Sequence, residues 1–174
     1  MAADVLIVYA SKHGSTEQVA RGIGETLRKR GLTTAIEPAR EVLDLSGYRA
    51  VLIGGSIYMG CWHHDARQFL KRHRRDLERL PFAVFALGPG KNTPEDFEAS
   101  RKQLDHALVR SPELEARAVA VFGGVIDPER MRFPLNHLKR TDLRDWNEIH
   151  AWAAELPLEL DLEPVVHHRE AVPF

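Results

Sequence analysis

The stretch "YASKHGSTEQVA", Tyr9 to Ala20, decides how the chain folds. It places six small or polar residues between an apolar run, "VLIVYA" (Val5–Ala10), and an amphipathic one in which Val19, Ile23 and Leu27 recur every fourth residue. A short continuous apolar run suits a strand buried on both faces, and the four-residue spacing is one stripe of a helix. Ser15 with Gln18 reads as a capping box. Arg28, Lys29 and Arg30 followed by Gly31 supply cations for the last turn and a glycine to end it. Strand, polar turn and helix in that order also build an anion cradle, because the first-turn N–H groups have no intrahelical partner and carry partial positive charge. Gly14 lets an anion approach the backbone, Ser11, Ser15 and Thr16 add hydroxyls, and Lys12 and His13 can add charge. Capping alone would explain the same residues, and this loop by itself leaves both readings open.

Outward from that stretch the alternation repeats. "TTAIEP" (33–38), "AVLIGGS" (50–56), "FAVFALG" (82–88) and "AVAVFGG" (118–124) read as four further strands. Between them lie helical patterns. One starts at Asp65 with a capping box to Gln68, carries Phe69, Leu70, His73, Leu77 and Leu80 inward and stops at Pro81. Another opens with Thr93-Pro94-Glu95 and carries Phe97, Leu104 and Leu108. The last runs from Asp142 to Leu156 with Leu143, Trp146, Ile149 and Ala153 at helical spacing. Five strands alternating with helices predict an α/β fold, a doubly wound parallel sheet with helices on both faces. Residues 1–156 read as one domain and 157–174 as a C-terminal tail without clear period.

In such sheets ligands bind beyond the carboxyl ends of the strands, at the switch point. The loops there are "ASKHGST", "GGSIYMGCWHH", "LGPGKNT" and "GGVIDPERM", all rich in glycine or small residues. Tyr58, Met59 and Trp62 in the second loop are candidates to cover a flat ligand or to pack on the next helix. Asp127 can touch a ligand or cap the turn before Pro128.

A formal net charge of −1 provides no global field for nucleic acid. One cysteine, Cys61, excludes an internal disulfide and fits a reducing compartment; burial is its expected setting. The N-terminal region has no basic segment with a long apolar run, so a cytoplasmic protein without stable membrane insertion is expected. Walker A, G-x-G-x-x-G, H-E-x-x-H, a Ser-His-Asp order and a paired-carboxylate motif are all absent. Cys61, His63 and His64 lack a second ligand pair, so no metal is expected. "KRHRRDLER" (71–79) reads as a solvated, ion-paired helix face or as a patch for an anionic partner.

Ser11-x-His13-Gly14-x-Thr16 resembles the phosphate loop of flavodoxins, and the order of elements resembles flavodoxin over residues 4–156. More narrowly, Ile53, Gly54, Ser56, Ile57, Gly60 and His63, together with "VFGGVIDPERMRF", resemble the menaquinone-dependent protoporphyrinogen dehydrogenase branch. Two departures stand. His13 replaces a threonine, and Met131–Asp142 is a short segment where that branch carries a long insertion. The resemblance implies strand order 2-1-3-4-5 and FMN. By it, Ser11, His13, Gly14, Ser15 and Thr16, with Lys12 beside them, hold the phosphate. Ser56, Ile57, Tyr58, Met59, Gly60 and Trp62 flank one side of the flavin ring, Leu87, Gly88, Pro89 and Gly90 the other, and Gly124 and Asp127 lie nearby. It implies an oxidoreductase passing electrons between a small organic donor, such as protoporphyrinogen IX, and a quinone-type acceptor or a redox partner protein. The alternatives are an electron carrier of flavodoxin type and a flavodoxin-like protein that has lost FMN and acts in interaction or regulation.

Overall fold

Val5, Leu6, Ile7 and Val8 are all fully buried in a computed structural model of the chain that describes residues 2–162. Burial on both faces follows from their place at the centre of a parallel sheet. Strand β1 (Val5–Ala10) pairs in parallel with β2 (Thr34–Pro38) on one side and β3 (Ala50–Tyr58) on the other. Two-residue β4 (Cys61–Trp62) folds back antiparallel onto the end of β3. Beyond β3 come β5 (Phe82–Leu87) and β6 (Ala118–Phe122), both parallel, giving the order β2-β1-β3-β5-β6. With β4 set aside as a hairpin partner, this is the expected order 2-1-3-4-5.

The period-2 alternation divides the apolar residues between two layers. Val5, Ile7, Leu52 and Phe85 share a core with helix α1 (Ser15–Lys29) and helix α5 (Trp146–Glu159). Leu6, Val8, Val51, Ile53 and Val84 share the opposite core with α2 (His64–Arg72), α3 (Arg74–Leu77) and α4 (Pro94–Leu108).

Several helix ends differ from the sequence reading. No capping box forms at Ser15: the N-cap is Gly14, at φ 90°, and no side chain caps the helix. A left-handed glycine turns the chain sharply enough that Ser15 is already inside the helix. At α2 the cap is His63, whose Nδ1 accepts from the Asp65 N–H at 3.1 Å, so Asp65 and Gln68 form no box. The helix expected to run on to Pro81 breaks at His73 into α2 and α3. Helix α5 starts after Asp145, which accepts from the N–H groups of Asn147 and Glu148, and continues through Pro157. Leu160 and Leu162 behind it are buried. The rest of the expected tail, residues 163–174 with His167 and His168, lies outside the described residues. Thr93 caps α4 as read.

Candidate functional site

The chain runs outward from β1 to β2 on one side and then crosses back to β3 on the other, so the crevice between β1 and β3 is the switch point, and the β1–α1 loop opens onto it. The loop is shaped by its own backbone. The Gly14 N–H donates to Ser11 Oγ at 2.8 Å, and the Gly14 carbonyl accepts from Gln18 at 3.2 Å. Thr16 is fully buried, and its Oγ1 has no hydrogen-bond partner; Ser56 Oγ, at the end of β3, is likewise buried and unpartnered. A buried hydroxyl without a partner costs on the order of 1–3 kcal/mol. An anion seated on the loop would meet Thr16 Oγ1 and the first-turn amides together. The residues present therefore fit a phosphate group.

The second loop is mostly strand. Ser56, Ile57 and Tyr58 belong to β3, and Met59-Gly60 is a two-residue turn with φ 50° and 74°, the geometry of a type I′ hairpin. The turn holds Met59 out into solvent, 81% exposed, and Tyr58 sits at the rim with Lys12 Nζ 4.1 Å from its ring centroid. Hairpin alternation turns Trp62 the other way. It is fully buried, its Nε1 donating to the Gly55 carbonyl at 3.1 Å, and it takes no place on the crevice. Cys61, expected to be buried, is exposed on the opposite face of the same two-residue strand. Among the described residues no three His, Cys, Asp or Glu side chains gather as a metal site.

The glycines after β5 and β6 serve backbone approach. The Gly88 N–H donates to the Phe122 carbonyl and the Gly124 N–H to the Pro89 carbonyl, at 2.8 and 3.0 Å. A Cβ on Gly124 would stand 2.3 Å from the Gly88 oxygen. Gly90 is pressed against Ile126, and Leu87 lies in the core.

Past Gly124 the chain makes β7 (Val125–Ile126), a 3-10 turn at Pro128–Arg130, a second at Leu135–His137, and β8 (Thr141–Asp142), which pairs with β7. Asp127 caps the first turn, its Oδ1 accepting from Glu129 N–H at 3.3 Å. This segment roofs a cleft of about 600 Å³ whose floor is Lys12, His13, Tyr58 and Met59. Arg130, Met131, Arg132, Phe133 and Leu135 form the roof. Arg130 Nη1 donates to the His13 carbonyl at 2.6 Å, and Arg144 Nη1 to Gln18 Oε1 at 2.6 Å. Both arginines, with Arg140, also line a hollow of about 150 Å³ against His13, Ser15, Gln18 and Asp127. Burial, then the charges of Lys12 and Arg130, hold the His13 imidazole below its ordinary pKa.

The structure thus brings Lys12, His13, Tyr58 and Met59 into one cleft, and His13, Ser15 and Asp127 into the hollow beside it. Ser11 and Gly14 face a third depression, with Glu17 and Asp65. Sequence reading missed Arg130, Arg132, Phe133 and Arg144, although "GGVIDPERMRF" and the brevity of Met131–Asp142 mark their segment.

On the opposite flank Arg67, Lys71, Arg74 and Arg110 line a separate groove of about 360 Å³, and Arg74 pairs with Glu113 and Glu78. Arg72, in the same basic run, is structural: its Nη2 donates to the Ala39 carbonyl at 2.7 Å. No helix among the described residues is long and apolar enough to cross a membrane.

A family model described as a flavodoxin domain matches residues 6–140. Over 135 residues the chain is 25% identical to protoporphyrinogen IX dehydrogenase (quinone) of Escherichia coli strain K12, covering 74% of this chain and 72% of that protein. Among solved structures, a flavodoxin of Streptococcus pneumoniae TIGR4 superposes with a TM-score of 0.55 at 21% identity, covering 90% of this chain and 97% of that one. A flavoprotein of Lactobacillus acidophilus, solved in complex with FMN, gives 0.51 at 17% identity, covering 69% and 93%. At these identities the structural likeness concerns the fold.

Proposed function

The chain belongs to the flavodoxin domain family, and from that premise we propose that it is an FMN-dependent oxidoreductase passing electrons between a small organic donor and a quinone-type acceptor. In this reading Ser11–Thr16 holds the cofactor phosphate through the first-turn amides of α1 and the Thr16 hydroxyl. Tyr58 and Met59 flank the ring on one side and the Gly88–Gly90 loop on the other. FMN supplies the redox chemistry, taking up and releasing electrons singly or in pairs. The chain's residues supply placement. The Met59–Gly60 turn sets the hairpin rim, and the Arg130–Leu135 stretch covers the cleft from one side.

The observation that carries this reading is the cleft itself, which opens directly off the phosphate loop and is lined by both apolar and cationic side chains. Phe133, Met59 and Leu135 offer contact to a flat apolar body, and Lys12 and Arg132 offer charge to carboxylates at its edge. That lining supports a porphyrinogen-class donor, the substrate printed in the name of the Escherichia coli relative. The test is anaerobic oxidation of protoporphyrinogen IX by the FMN-loaded protein with menadione as acceptor. Porphyrin fluorescence rising with enzyme concentration is expected. FMN bound without turnover would overturn the substrate and leave the carrier role, which the exposed rim formed by Met59 favours.

A further inference from the structure

A phosphate monoester brings nearly two negative charges to the Ser11–Thr16 loop. The helix terminus answers with roughly half a unit of positive charge. The loop has His13 where the flavodoxin pattern has threonine, which removes a hydroxyl, and burial, then Lys12 and Arg130, hold the imidazole below its ordinary pKa. Lys12 holds its ammonium over Tyr58, on the cleft floor. Arg144 is matched by Asp142 through hydrogen bonds of 2.9 and 2.7 Å, and by Gln18.

Arg130 is placed differently. It reaches the loop from the roof segment, 117 residues away in sequence, and puts Nη1 2.6 Å from the His13 carbonyl. The same nitrogen stands 3.3 Å from where a Cβ on Gly14 would be, so the guanidinium lies against the turn of the loop. Its ion pair with Asp127 is loose, 3.5 Å from Nε, and Asp127 already caps its own turn. Nη2 makes no hydrogen bond among the described residues, and the side chain is 59% exposed. A planar cation held by one nitrogen on the loop's own carbonyl, with donors left over, is suited to an oxyanion at the same loop.

We propose that Arg130 is the cationic arm of the phosphate cradle, a cofactor-binding residue that makes the site select FMN over riboflavin. The inference rests on the FMN reading above. On it, the roof of the cleft and the cofactor phosphate share one contact.

The test compares dissociation constants of FMN and riboflavin, read from flavin fluorescence at several salt concentrations. The proteins are the wild type, Arg130→Gln and Arg132→Gln. Arg130→Gln is expected to weaken FMN about tenfold to hundredfold, the range of a charge-assisted hydrogen bond, and to leave riboflavin within about twofold. Unchanged riboflavin affinity reports an intact fold. The salt dependence of FMN binding should flatten in the same variant. Arg132→Gln, on the roof but off the loop, should leave the FMN-to-riboflavin ratio alone. Equal weakening of both flavins, no weakening, or the same ratio change in Arg132→Gln would overturn the inference while leaving FMN binding in place. A wild type that binds neither flavin would overturn the FMN reading itself and this inference with it.

Discussion

The Ser11–Thr16 loop and the Val125–Asp142 segment meet through the hydrogen bond from Arg130 to His13, yet they are held in opposite ways. The loop sits between a strand with four fully buried residues and a 15-residue helix anchored by Val19, Ile23 and Leu27. The segment consists of two two-residue strands and two 3-10 turns in which no residue is buried. The first is a by-product of the core, and its shape cannot change without the sheet. The second is fixed by a few local contacts and can change at little cost in stability. Such a division suits a cofactor seated in the frame, with Arg130 as the one arm reaching back to it, and a substrate chosen by the rest of the graft.

The largest effect is expected where the segment leaves the sheet. Gly124→Ala drives a Cβ into the Gly88 carbonyl, which is backbone and cannot turn aside. A loss of roughly 1–3 kcal/mol is expected in denaturant unfolding. An unchanged midpoint would mean that the roof is not anchored to the sheet there.

Within the loop, Thr16→Ala separates binding from folding. The hydroxyl is buried and unpartnered, so its removal should leave stability unchanged or raise it by up to about 1 kcal/mol. FMN affinity, measured by titration, should fall about tenfold. Lost stability with unchanged affinity would make Thr16 part of the frame only.

On the roof, Phe133→Ala removes a ring that is 77% exposed. Stability should stay within about 0.5 kcal/mol and FMN affinity within about twofold, while KM for the organic donor rises several-fold. A comparable loss of FMN affinity would erase the division of labour.

The smallest effect is a pH dependence that belongs to the frame. Burial is the leading cause that depresses His13, His63 and His73, and His73 is only 4% exposed. A buried neutral imidazole leaves the unfolded chain binding more protons below an ordinary pKa of 6.5. Its contribution is therefore fully present above that pH and is lost as pH falls toward the folded-state values. Unfolding free energy should decline through that window, and His73→Gln should flatten the decline.

The five strands were legible because burial on both faces leaves continuous apolar runs, and the helices because one buried face leaves a stripe. The phosphate loop was legible as a glycine and hydroxyls at the right place, but not its cap. Ser15 and Gln18 match a capping box in one dimension, whereas Gly14 at φ 90° already starts the helix. Trp62 was ambiguous because nothing in "SIYMGCW" announces a hairpin turn at Met59-Gly60, and that turn alone decides which face the indole takes. Arg130 and Arg144 were invisible for a simpler reason. A lone arginine in an irregular segment has no period, and its meaning comes from a partner more than a hundred residues away.

The most direct test of the central claim is flavin stoichiometry: the purified chain is incubated with excess FMN, passed through a desalting column and its visible spectrum recorded. One FMN per chain emerging with the protein is the expected result. A colourless protein peak, with all the flavin in the salt fraction, would contradict it.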